Sequence, residues 1–205
     1  MTDRAAPPDD QRAFNLRLLD ALDALNIPYA IGGSFAAMAY SEPRMTNDID
    51  VMIVAGIEDL AHLVDVVDQW EVYISPLEAI LEIDLPHGLP INIVDALLGG
   101  KADLFVAGRT ALDAAAMSRR RRKRFYRNPD VEAWFLSPED VILYKLDYFR
   151  RSGETSAKHP ADIAKMLRVM GDQLDLAYLE RGSAEIGVGD LWAAMWDEHS
   201  KLSAR

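Results

Sequence analysis

Asp48 and Asp50 stand two apart in Asp48-Ile49-Asp50-Val51-Met52-Ile53. On an extended strand, residues two apart share a face. The two carboxylates then point one way, while Ile49, Val51 and Ile53 point into an apolar layer. Neighbouring carboxylates repel unless a cation neutralises them. Hard oxygen donors on a strand suit Mg²⁺, which is held by one or two carboxylates together with substrate phosphates. Alone, Asp-x-Asp is more often a solvated strand face or a capping pair. The segment upstream shifts that balance. Tyr29-Ala30-Ile31 runs into Gly32-Gly33-Ser34, a strand entering a turn that opens a helix. Glycine lets the backbone approach a phosphate, and a helix start offers free N–H groups to an anion. Ser34 adds a hydroxyl, which reads either as a phosphate donor or as an N-cap for Phe35–Tyr40.

Several more residues could do chemistry. Asp103 opens a strand otherwise made of Ala102, Leu104, Phe105 and Val106, and Asp95 beside the preceding strand competes with it as a third carboxylate. Lys145 lies near the stripe Ile142, Leu146, Phe149, and reads either as a snorkelling lysine or as a phosphate-binding charge. Lys158 and Asp162 are one helical turn apart, the spacing of a surface pair. Arg44 and Thr46 precede the Asp-x-Asp strand, as phosphate contacts or as plain turn residues. Arg119-Arg120-Arg121-Arg122-Lys123-Arg124 gathers six of the chain's 22 basic residues. That run reads as a salt-sensitive contact to RNA or another polyanion. It reads equally as a solvated edge strand or as charges paired with acids inside the protein.

The elements that must position these residues follow from periodicity. A helix is expected over Arg12–Leu25, strands at Tyr29–Ile31 and Asp48–Val54, and a helix at Ile57–Trp70. Ile91–Val94 and Ala102–Val106 read as a hairpin around Gly99-Gly100. A short helix at Thr110–Met117 and strands at Arg119–Tyr126 and Val131–Phe135 follow. Ser137-Pro138-Glu139-Asp140 is a helix start, and helices are expected over 138–151, 158–170, 174–186 and 189–199. The expected organisation is a disordered lead-in at 1–10, an α/β core over 11–136 with a mixed sheet flanked by helices, and a helical region over 137–200 packed on that core.

The length of 205 residues, half of them hydrophobic, suits such a core with a helical appendage. The net charge of −11 excludes a large uniform nucleic-acid footprint. The absence of cysteine excludes disulfides, thiolate zinc sites and cysteine nucleophiles. His62, His87, His159 and His199 show no metal-ligand spacing. No apolar signal core or membrane-length run occurs, so a cytoplasmic protein without membrane contact is expected. Trp192 and Trp196 share a helix face, most simply a core face.

Ile31-Gly32-Gly33-Ser34 followed by Arg44-Met45-Thr46-Asn47-Asp48-Ile49-Asp50-Val51 resembles the signature of the DNA polymerase β-like nucleotidyltransferase superfamily. The likeness is nearest to bacterial nucleotidyltransferases related to abortive-infection type II toxins. It continues through Lys101–Val106, Ser137–Leu146 and Lys158–Ile163, covering about residues 28–170. The resemblance implies that Asp48, Asp50 and Asp103 ligate two Mg²⁺ ions that clamp an in-line displacement. It implies that Gly33 and Ser34 hold the phosphates of a nucleoside triphosphate, with Arg44, Lys145, Lys158 and Asp162 as further candidates. The implied reaction transfers a nucleoside monophosphate to RNA, tRNA or a protein side chain, in a toxin–antitoxin setting. The alternative is a catalytically silent nucleotide-binding or antitoxin-like interaction protein. Where the toxin-type pattern has an Arg-x-Lys-Asp opening, this chain has Ser156-Ala157-Lys158-His159.

Overall fold

A computed structural model describes residues 9–81, 89–108, 110–127 and 130–203. The chain divides into two compact units, residues 1–31 with 46–118 and residues 32–45 with 119–205.

The first unit holds helix α1 (Asp9–Ala24), strand β1 (Tyr29–Ile31), strand β2 (Asp48–Ile53), helix α3 (Ile57–Asp68) and strand β3 (Tyr73–Ile74). Helix α4 (Leu77–Leu81), strands β4 (Ile91–Val94) and β5 (Lys101–Val106), and helix α5 (Ala111–Ser118) complete it. Its strands lie in the order β3-β4-β5-β2-β1. Strands β2 and β5 run parallel and the other neighbours antiparallel, so the sheet is mixed. Alternation sorts its two faces. Ile49, Val51 and Ile53 of β2, Ala102 and Leu104 of β5, and Ile91 and Ile93 of β4 are buried. Helices α1 and α3 pack together, and Phe14, Leu18, Leu22, Leu60 and Leu63 are buried in them. A side chain on Gly100 would come within 2.5 Å of the Phe14 ring, so the turn into β5 requires a glycine there. The opposite face carries Asp48, Asp50, Asn92, Lys101, Asp103 and Phe105, all half-buried.

The second unit holds helix α2 (Gly33–Ala39), the hairpin β6 (Arg121–Arg127) and β7 (Asp130–Phe135), and helices α6 (Pro138–Arg151), α7 (Lys158–Met170), α8 (Leu176–Glu185) and α9 (Gly189–Ser203). Strands β6 and β7 pair antiparallel, with a register shift between Arg124 and Tyr126. Helix α6 begins as its sequence dictates: Ser137 caps it by accepting from the Asp140 N–H at 3.2 Å, and proline opens the first turn. It packs on α2, α7 and α8. Its Leu143 lies so close to Gly182 of α8 that an added methyl would meet it at 2.7 Å. Trp192 is buried, with its ring centroid 5.7 Å from that of Trp196.

The observed elements follow the periodicity, with four differences. Residues 1–8 of the expected lead-in, and His87, lie outside the described residues, and Asp9 already belongs to α1. Strand β3 and helix α4, of two and five residues, are too short to show a period. Helix α8 starts at Leu176, because Asp175 accepts from the Tyr178 N–H as its cap. Ser34 is not an N-cap: α2 starts at Gly33 after an extended Gly32, with no side-chain cap. No described helix is long and apolar enough to cross a membrane.

Candidate active site

In the first unit, the parallel register places Asp48 opposite Lys101 and Asp50 opposite Asp103. Strand β4 brings Asn92 opposite Asp103 from the other side. Three carboxylates thus leave one face of two neighbouring strands, as the alternation of β2 and β5 requires. Each has a distinct environment. Thr46 Oγ1 donates to Asp48 Oδ1 at 3.0 Å. Lys101 Nζ donates to Asp103 Oδ2 at 2.9 Å. Asp103 Oδ1 is buried without a hydrogen-bond partner. The hydrogen bond to Asp103 holds the Lys101 ammonium above its ordinary range; burial opposes this, and the charges of Asp103, Asp48 and Asp50 reinforce it.

Asp95, the competing third carboxylate, is used locally. Its Oδ1 accepts from the N–H groups of Leu97 and Leu98 at 3.0 and 2.8 Å, closing the turn between β4 and β5. Asn92 and Lys101 were not singled out from sequence. Lys101 was legible there, because it shares a strand face with Asp103. Asn92 was not, because its place depends on the β4–β5 register.

As the side chains stand, no three His, Asp or Glu among the described residues are gathered closely enough to hold a metal ion. The donor set still fits Mg²⁺. Every candidate ligand is a hard carboxylate oxygen. The orphaned Asp103 Oδ1 carries an unmet acceptor, which costs about 1–3 kcal/mol and which a cation would relieve.

In the second unit, Gly33 has φ 54°, a left-handed conformation that favours glycine. Ser34 follows it and is 2% exposed. Its hydroxyl accepts from Arg44 Nη2, which leaves the hydroxyl proton free to be donated elsewhere. The same guanidinium forks onto Asp162, Nε to Oδ1 at 2.9 Å and Nη2 to Oδ2 at 3.2 Å. Lys145 Nζ reaches Asp162 Oδ2 at 2.8 Å, with both side chains 5% exposed. Burial opposes ionisation of Asp162, but the hydrogen bonds and charges of Arg44 and Lys145 hold its carboxyl below the usual range. Burial and the neighbouring Lys145 and Lys158 charges push His159 down, against the pull of Asp162.

This arrangement corrects three readings. Asp162 does not form a surface pair with Lys158; it is buried, it faces Arg44 and Lys145, and Lys158 is exposed. Lys145 does not snorkel, because its ammonium ends on a buried carboxylate. Arg44 is more than a turn residue, since it joins Ser34 to Asp162, which lies 118 residues beyond Arg44.

The basic run is split by the pleat. Arg119 contacts Glu139 at 3.0 Å and lies over the Tyr178 ring at 3.9 Å. Arg121 reaches Glu139 at 3.7 Å, and Lys123 lies over the Tyr40 ring at 3.9 Å. Arg120 and Arg122 instead flank Trp134, and Arg122 and Arg124 meet Glu132 and Asp130 of β7. Three cations of the run are therefore tied to neighbouring helices, while the others pair with β7 on an open face.

No family model matches this sequence, and no curated protein does. Solved structures do. The antibiotic-resistance factor ANT(2'')-Ia in solution superposes with a TM-score of 0.60 at 18% identity, covering 94% of this chain and 98% of that one. The fold is that of a nucleotidyltransferase. The crystal structure of ANT(2'')-Ia with adenylyl-2''-tobramycin gives a TM-score of 0.59 at 18% identity, over 86% of this nucleotidyltransferase-fold chain and 96% of that one. The lincosamide adenylyltransferase LnuA, bound to lincomycin, gives 0.51 at 12% identity, over 80% and 98%.

Proposed function

We propose that this protein is a Mg²⁺-dependent nucleotidyltransferase that moves a nucleoside monophosphate from a nucleoside triphosphate to an acceptor hydroxyl. The observation that carries the reading is the register that sets Asp50 beside Asp103 with Asp48 on the same face, within a nucleotidyltransferase fold. In this reading Asp48, Asp50 and Asp103 hold the metal. When bound, Mg²⁺ supplies charge neutralisation on the phosphates and lowers the pKa of the acceptor hydroxyl. Gly33 leaves the backbone open to a phosphate, and Ser34 donates its remaining proton to a phosphate oxygen. Arg44 and Lys145, fixed by Asp162, supply positive charge to the same anion. Asp162 is thus a positioning residue, and exposed Lys158 a contact of lesser weight.

The acceptor is best sought first among small hydroxylated molecules. The first unit contains 18 acidic and five basic residues, a net charge of −13, which repels a polyanion and draws a cation. The ANT(2'')-Ia structure holds adenylyl-2''-tobramycin, and the lincosamide adenylyltransferase LnuA holds lincomycin. ATP is accordingly the first triphosphate to try. The half-exposed arginines Arg122 and Arg124 favour RNA as the second acceptor class.

The test incubates the protein with each α-labelled triphosphate, Mg²⁺, and in turn aminoglycosides and lincosamides, total RNA, and cell lysate. Label transferred to one class, and lost in Asp50→Asn, supports the reading. Mg²⁺-dependent triphosphate binding with no labelling of any class shifts it to a silent nucleotide-binding protein of the antitoxin-like kind. Absence of both binding and labelling removes it.

A further inference from the structure

Lys101 is the one lysine of the first unit, set among its 18 acidic residues. It opens β5 two residues before Asp103, so both side chains leave the same face. The parallel register puts it opposite Asp48, and puts Asp103 opposite Asp50. Its Nζ lies 2.9 Å from Asp103 Oδ2, with the lysine side chain 40% exposed and the aspartate 13%. The ammonium therefore sits on the solvent side of a largely buried carboxylate, at the edge of a face bearing three such groups.

We propose that Lys101 is a positioning residue for the metal site: an intramolecular counter-ion that holds Asp103 until a divalent cation takes its place. The proposal rests on the metal-dependent reading above. The physical case is one of competing charges. The Lys101 ammonium contacts one of the three neighbouring carboxylates, Asp103. A divalent ion neutralises two and accepts oxygens from both strands. The lysine end of the contact is 40% exposed, so its ammonium regains water when it lets go. The flexible four-carbon stem of Lys101 lets the ammonium swing into water while the strand stays fixed. The same contact accounts for the carboxylates not being drawn together, since Asp103 is turned toward Lys101 by its bonded oxygen while Oδ1 stays unmet. Lys101 thus sets a threshold for metal occupancy and limits carboxylate repulsion below it.

The experiment titrates Mn²⁺ into wild type, Lys101→Met, Lys101→Arg and Asp103→Asn by calorimetry, with melting curves in EDTA and in Mn²⁺. Methionine keeps the apolar stem and removes the charge. Lys101→Met is expected to bind Mn²⁺ about fivefold more tightly, the scale of removing one contacting charge that water screens. It is expected to melt below wild type in EDTA and to recover in Mn²⁺, while Lys101→Arg behaves as wild type. Unchanged or weaker Mn²⁺ binding by Lys101→Met overturns the proposal. If Asp103→Asn weakens Mn²⁺ binding in that same series, the metal site stands and only the role of Lys101 falls. If wild type and every variant bind no Mn²⁺, the metal-dependent reading falls and the proposal falls with it.

Discussion

Asp103 and Asp162 are the same residue type in opposite electrostatic settings. Asp103 shares its face with Asp48 and Asp50 and has a single, half-exposed lysine for relief. Asp162 stands alone between a forked guanidinium and a buried ammonium. The first arrangement groups three carboxylates on one face and leaves one oxygen of Asp103 unmet. The second is neutralised from within. An unmet buried carboxylate oxygen is where an external cation gains most, whereas a satisfied buried pair fixes geometry. The units differ overall in the same sense: residues 32–45 and 119–205 contain 15 acidic and 17 basic residues, a net charge of +2. The comparison separates a face with an unmet acceptor for a cation from a cluster whose single carboxylate fixes two cations, Arg44 and Lys145, in place.

The largest expected effect tests the binding face. Asp50→Asn should lower nucleotidyl transfer about a thousandfold, the upper range for losing one electrostatic stabiliser of a transition state. Its urea midpoint without metal should stay close to that of wild type, because the amide keeps the shape of the carboxylate. Loss of both activity and stability would show that Asp50 is a structural partner instead, and the contrast with Asp162 would collapse.

The mirror-image variant is Asp162→Ala. It leaves Lys145 buried without its carboxylate, and breaking a buried pair in this way costs about 3–5 kcal/mol. Chemical denaturation in Mg²⁺-free buffer reads this directly. A cost below about 1 kcal/mol would mean that Arg44 and Lys145 are held by other groups.

Acid titration sharpens the comparison further. The folded carboxyl of Asp162 is held below its ordinary value of 3.8. A carboxylate with a depressed folded pKa stabilises the fold at pH values above the ordinary one, and that stabilisation is lost as pH falls through the folded value. Stability should therefore decline below about pH 4, and Asp162→Asn should flatten this limb. Asp140 moves in the opposite direction: burial raises its pKa, against hydrogen bonds from Ser137 and Tyr178. Its ionisation costs stability as pH rises past the ordinary value, so Asp140→Asn should gain relative to wild type toward neutral pH. An unchanged pH profile in both variants would show that neither carboxyl is linked to folding.

The smallest effect belongs to the hairpin. The Arg124–Asp130 contact is 2.7 Å, but both side chains are more than half exposed. Arg124→Gln should change stability by less than about 1 kcal/mol. A larger loss in thermal melts would mark β6 as a structural charge network throughout, including its outward face.

Much of the molecule was legible from local rules. Helix α6 began where Ser137 and Pro138 said it would, and β2, β4 and β5 followed period-two alternation. The carboxylate face followed too, because alternation is a property of the strand itself: once Asp48 and Asp50 lie on a strand, they share a side. Short elements were not legible, since β3 and α4 contain too few residues to repeat a pattern. Of the two readings of Ser34, the cap fails, because its hydroxyl meets a partner ten residues later, Arg44.

The sequence by itself determined which residues could carry metal and phosphate chemistry and which strands would present them. Only the tertiary structure decided their partners. Lys158 is nearer to Asp162 in sequence than Arg44 or Lys145, yet Asp162 pairs with those two, because packing buries its side of α7 and leaves Lys158 in water. Likewise the β2–β5 register sets Asp103 beside Asp50, while turn amides already satisfy Asp95. Periodicity fixes the direction of a side chain along its own element. What that side chain meets depends on which element is packed against it, and that is set by burial of the whole chain.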